Sequence, residues 1–150
     1  MTIKFHLWYT LLFAFFMAVG VLGYEWLWYS GLLSGWIPLP DFILMTLAIQ
    51  RLIRLFTYDH ITAFIRDWFM GAEHNTLRHT LGELLNCPWC FGLWCSLVVV
   101  FFYFATPLAW YAYVVLALSS VASILQITVN WIGWSAEVKK QTAQSPMLPR

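Results

Sequence analysis

Charge is what this sequence has least of. Asp, Glu, Lys and Arg make up only 10% of its 150 residues, while hydrophobic residues make up 61%. Ordinary soluble domains carry roughly 25% charged residues, and a soluble fold of this size could not hide so much apolar surface. Lipid must cover part of it. The formal net charge of +1 leaves no concentrated basic face and so excludes nucleic acid as a partner. Also missing are a Ser-His-Asp order, a phosphate-binding loop, paired catalytic carboxylates and an H-E-x-x-H pair. An enzyme is therefore unsupported, and the sequence points away from one.

The absences of Lys and Arg are local as well as global. The eight basic residues fall into three clusters: Lys4; Arg51, Arg54, Arg66 and Arg78; and Lys139, Lys140 and Arg150. Residues 5–50 and 79–138 contain none, and Leu84 to Ala136 is wholly uncharged. The uncharged run is long enough for two membrane spans of about 20 residues with a turn between them. By the positive-inside rule the basic clusters are cytoplasmic and the basic-free connections lie outside. Two hairpins inserted from the cytoplasm satisfy all three clusters, with both termini cytoplasmic. Lys4 followed by an apolar core has the outline of a secretion signal. The Glu25-Trp26-Leu27-Trp28-Tyr29 that follows offers no small-residue cleavage site, so an uncleaved first span is expected.

The fold class expected is all-α: a membrane protein of about four transmembrane helices in two hairpins, plus one interfacial amphipathic helix on the cytoplasmic side. The spans fall at about 7–24, 42–58, 87–104 and 108–131. Residues 1–134 form a single transmembrane domain and 135–150 a polar cytoplasmic tail. Trp26, Trp28, Tyr29 and Trp36, around Gly31, Ser34 and Gly35, suit an outer interfacial belt. Pro38 and Pro40 open the second span, with Asp41 as its cap. Asp59 looks like the cap of the amphipathic helix at about 60–70. There Ile61, Phe64, Ile65, Trp68 and Phe69 recur at helical spacing, opposite His60, Thr62, Arg66 and Asp67, and Gly71 closes it. In the fourth span Ser119, Ser123, Gln126 and Asn130 form one stripe, which is expected to face the bundle.

Two features could carry chemistry. The first is Cys87-Pro88-Trp89-Cys90 at the start of the third span, where Pro88 at the first helical position makes Cys87 the cap. A helix N-terminus offers free N–H groups and partial positive charge, which favour a thiolate. Three readings stand side by side: a structural helix start, a redox pair, and a zinc site needing two further ligands from His74, His79 and Cys95. No other cofactor is implied.

The second feature is the charged set Arg51, Arg54, Asp59, Arg66 and Glu83 near the cytoplasmic end of the second span. Ionisable groups at membrane depth must pair or reach the headgroups. Arg54 paired with Asp59 or Glu83 would organise the cytoplasmic surface, and lipid anions are the other natural partners.

Together the two features resemble a family of small multi-pass membrane proteins of unknown function. It is found in bacteria and their phages and includes sporulation-associated proteins of spore formers. The pattern is an arginine-rich helix end, D-x-I-T with a further Arg, then C-P-W-C-x-G-x-W. Here these are Arg51, Arg54, Asp59, Ile61, Thr62, Arg66, Cys87, Pro88, Trp89, Cys90, Gly92 and Trp94, within residues 42 to 104. The resemblance implies a membrane protein and no particular activity. The function expected is a non-enzymatic protein that organises lipid, a protein partner or further copies of itself through its cytoplasmic face. The alternatives are a thiol-redox or metal-binding protein and a phage-type lysis or exclusion effector.

Overall fold

The computed structural model describes residues 2–33, 35–73 and 76–144; most of these are helical, and there is no strand among them. Six helices follow in order: α1 (Thr2–Tyr29), α2 (Leu39–Thr57), α3 (Ala63–Met70), α4 (Leu77–Asn86), α5 (Pro88–Ala105) and α6 (Ala109–Gln144), with a short 3₁₀ turn at His60–Thr62. Among the described residues, three segments are long and apolar enough to cross a membrane: Leu7–Tyr29, Pro88–Ala105 and Ala109–Thr142. The second helix falls outside that set, because Gln50, Arg51 and Arg54 dilute its apolar run.

Local chemistry sets the helix ends. α1 outlasts the expected 7–24 and stops where Gly31 takes a φ of 66°. Leu32 N–H donates to the Leu27 carbonyl and Gly31 N–H to that of Trp28, both at 3.1 Å. This doubly bonded ending needs a left-handed residue, and glycine enters that region without a steric penalty. α2 opens behind Pro38, with Pro40 in its first turn, where a missing N–H leaves no bond unmade.

Asp41 is inside that turn and does not act as its cap. Its carboxylate instead accepts a 2.6 Å hydrogen bond from the Tyr103 hydroxyl of α5.

The core lies where α2 packs chiefly against α6 and, next, against α5. Met45, Ala48, Val99 and Tyr113 are buried together, with Leu44, Ile49, Leu52 and Leu116 against them. Ala48 is small enough to let α6 approach closely, which is how helices gain contact in lipid. Tyr113 donates to the Val99 carbonyl at 2.7 Å, so its buried hydroxyl is satisfied. α1 packs on the outside of α5, where Phe16 meets Trp94 edge-on. An apolar groove of about 760 Å³ between α1 and α5 is lined by residues such as Val19, Leu27, Leu97 and Phe101.

The polar stripe of the fourth span is only partly turned inward. Ser120, not Ser119, is the fully buried serine, and it donates to Gln50 Oε1 of α2. Ser123 faces Arg51 at 3.3 Å. Gln126 and Asn130 are exposed and bond to each other at 3.0 Å, because α6 runs on past the elements that cover its first half. Its helix also continues through the boundary expected at residue 134 as far as Gln144.

Candidate functional site

The residues singled out by sequence converge on one end of the bundle, where α2 ends, α3 and α4 form a short hairpin and α5 begins. α2 closes with Tyr58 and Asp59 N–H groups both donating to the Arg54 carbonyl, at 2.9 and 3.1 Å. Arg66 then reaches back from α3. Its Nη1 donates to the Phe56 carbonyl at 2.8 Å, to the Asp59 carbonyl at 3.1 Å and to Thr62 Oγ1 at 3.1 Å. Thr62 is buried and donates to the Leu55 carbonyl. Unpaired carbonyls at a helix end need partners, and this guanidinium with its threonine supplies them.

The expected charge pairing is corrected. Asp59 stands at the N-cap position of the 3₁₀ turn but makes no capping bond with its side chain; its carboxylate pairs with Arg51 at 3.2 Å. Arg54 is not its partner, and the buried Nε of Arg54 has no hydrogen-bond acceptor. Nor does Glu83 serve Arg54. Glu83 accepts from the Tyr9 hydroxyl of α1 and lies 3.9 Å from His79 Nδ1.

The α3–α4 hairpin depends on Gly82. A β-carbon there would sit 3.0 Å from Met70 Sδ, 3.2 Å from Phe69 Cβ and 3.3 Å from the Met70 nitrogen. Thr76 caps α4 by accepting from the His79 N–H at 3.3 Å. The Arg78 guanidinium stacks 4.2 Å from the Trp68 ring centre and donates to the Trp68 carbonyl. The outer face of this corner is apolar: Ile61, Phe64 and Trp68 are 72%, 71% and 59% exposed.

At the head of α5, Cys87 is the N-cap, with Pro88 in the first turn. The Cys90 N–H donates to Cys87 Sγ at 3.4 Å, and the two sulfurs lie 2.9 Å apart. The hydrogen bond shared with the Cys90 thiol, then that from the Cys90 backbone, holds the Cys87 thiol below its ordinary pKa. Cys95 is buried apart from the pair. Trp94 faces α1, and a β-carbon on Gly92 would meet Ile53 Cδ1 at 3.1 Å, so both serve helix packing. Trp89 projects outward.

Among the described residues, no group of three or more His, Cys, Asp or Glu side chains is placed to hold a metal ion. His79 is buried beside Glu83 in α4, while His74 lies outside the described residues. Sequence reasoning missed Tyr9, Gln50, Thr76, Gly82 and Ser120. A glycine inside the helical pattern at 82 was the available signal of close approach. Tyr9 and Gln50 were detectable only as polar interruptions of apolar runs.

Comparison with known proteins finds relatives of unknown function. The family model described as "Protein of unknown function (DUF1360)" matches residues 71–129, which includes the paired thiols. The UPF0713 protein YngL of Bacillus subtilis (strain 168) is 33% identical over 101 residues, covering 59% of this chain and 78% of that protein. The Sporulation protein YjcA of the same organism is 31% identical over 108 residues, covering 60% of this chain and 92% of that protein. No solved structure matches significantly.

Proposed function

The chain belongs to the DUF1360 family of proteins of unknown function, and on that premise we propose that it is a four-span protein of a bacterial inner membrane whose cytoplasmic corner organises lipid through a fixed apolar face. α2 is the fourth span. Charged and polar residues interrupt it, yet its Met45 and Ala48 lie in the core, and its Arg51 charge is matched by Asp59. Pairing lowers the cost of placing an ion near lipid. With α2 counted, both termini and the α3–α4 corner lie on the cytoplasmic side, where all the basic residues then fall.

The observation that carries the reading is the fixed apolar face of the His60–Thr62 turn and α3. Ile61, Phe64 and Trp68 point outward together, while the opposite side is clamped by Arg66 to the end of α2 and held close to α4 at Gly82. A free loop would hide such residues or move. This one presents them at the level where α2 leaves the membrane. Burying each large apolar side chain is worth about 1.5–3 kcal/mol, so three of them hold the corner in the headgroup boundary.

Photo-crosslinking in vesicles tests it. A benzophenone side chain at position 64 or 68 should capture lipid, and one at Asp67 should not. Phe64→Asp together with Trp68→Asp should release the corner to water-soluble quenchers. Capture of lipid at all three positions equally, or at none, would remove the support for an oriented interfacial helix.

A further inference from the structure

A lipid-facing corner has no use for the two thiols at the head of α5. Cysteines kept for packing belong inside, as Cys95 is. Cys90 is instead exposed, Cys87 is only partly covered, and the Trp89 between them is 87% exposed. Their sulfurs stand 2.9 Å apart, against about 2.05 Å in a closed disulfide. Bond formation therefore needs only a small displacement. The Cys90 N–H is aimed at the Cys87 sulfur, and the first turn of an 18-residue helix adds its partial positive charge at the same place.

We propose that Cys87 and Cys90 form a thiol–disulfide exchange centre acting on a disulfide carried by a protein partner at the membrane surface, with Cys87 attacking, Cys90 resolving and Trp89 as the contact residue. The roles follow from geometry. Cys87 is the sulfur that receives the backbone donor at the helix start, so its thiolate is the stabilised one. Cys90 lies one turn further in and faces it.

The exchange balances. The Cys87 thiolate attacks one sulfur of the partner disulfide; that S–S bond breaks, a mixed disulfide forms, and the partner's other sulfur leaves as a thiolate. Cys90 then loses its proton and attacks Cys87 Sγ. The Cys87–Cys90 bond forms, and the second partner sulfur leaves. The partner gains two electrons and the two thiol protons and becomes a dithiol, while the pair becomes an internal disulfide. A small cellular thiol such as glutathione restores the pair by the same exchange. The lowered Cys87 pKa supports the assignment, since the thiolate is the nucleophile.

The test uses the full chain in lipid nanodiscs, with Cys95→Ala so that only the pair is counted. Iodoacetamide should alkylate Cys87 about tenfold faster than Cys90 near neutral pH. Because a lowered pKa leaves more thiolate at any given pH, the Cys87 rate should reach its plateau below the pH at which an unperturbed thiol titrates. Glutathione disulfide should close the pair in the parent protein. In Cys90→Ser it should stop as a glutathione adduct on Cys87, and Cys90→Ala should trap the same adduct without a hydroxyl at that position. Equal labelling of the two thiols, no trapped adduct in either variant, or protection of both thiols that a chelator releases would each overturn the proposal.

Discussion

Arg66 Nη1 donates to the Phe56 carbonyl oxygen at 2.8 Å, so a side chain from α3 closes the helix that precedes it. The same nitrogen also reaches the Asp59 carbonyl and the Thr62 hydroxyl. Charged donors to otherwise unpaired carbonyls are worth about 1.5–3 kcal/mol. Arg66→Ala should therefore lower stability by about that much in thermal unfolding in detergent. Arg66→Lys should recover only part, because an ammonium lacks the planar fork. Wild-type stability in Arg66→Ala would show that the contact is incidental.

Gly82→Ala should separate α3 from α4. The added carbon meets Met70 Sδ, Phe69 Cβ and the Met70 backbone nitrogen within 3.3 Å, and backbone cannot yield as a flexible side-chain end can. Overpacking of this kind costs about 1–3 kcal/mol. Gly133→Ala, where nothing lies within 4 Å, should be neutral or slightly stabilising. Proteolysis between α3 and α4 distinguishes them, with faster cutting expected only for Gly82→Ala.

Ser120→Leu should disrupt the α2–α6 contact, since Ser120 is completely buried and bonded to Gln50. Ser120→Ala should be mild, because hydrogen bonds between membrane helices average about 0.6 kcal/mol. Leu118→Ala, on an exposed face, should lie within about 0.5 kcal/mol of the parent. Equal sensitivity at positions 118 and 120, measured by unfolding in mixed micelles, would contradict the packing described.

The proposed topology rests on the basic clusters. Reporter fusions at Gly35 and after Pro107 should report the outside, and fusions at Ala72 and at the C-terminus the cytoplasm. An external signal at Ala72 would invert both hairpins and move the thiol pair to the other side of the membrane.

The helices were legible where chemistry is one-dimensional. The uncharged run from Leu84 to Ala136 announced α5 and the start of α6, and Pro88 marked Cys87 as the cap. Pairings between distant residues were not. Nothing in the local pattern distinguishes Ser120 from Ser119 as the partner of Gln50, since the choice depends on how α6 is rotated against α2. Arg51 and Arg54 both stood one or two turns from Asp59, and only the backbone path through the corner selects Arg51. α6 runs on through the change from apolar to polar composition near residue 134. Residues Ser135 to Gln144 contain neither glycine nor proline and continue the helix they follow. Composition records where lipid ends; it does not record where hydrogen bonding ends.

That continuity makes α6 a lever. Thirty-six residues at about 1.5 Å each reach about 54 Å, against a hydrocarbon layer of about 30 Å. With its first half anchored to α2 through Ser120 and Ser123, the free arm carries Lys139 and Lys140 outward with no break in the backbone ladder. A membrane that thickens or thins changes the tilt of the helices within it. If α6 crosses a membrane, a small tilt at the fulcrum would become a larger sideways sweep of the two positive charges at its far end.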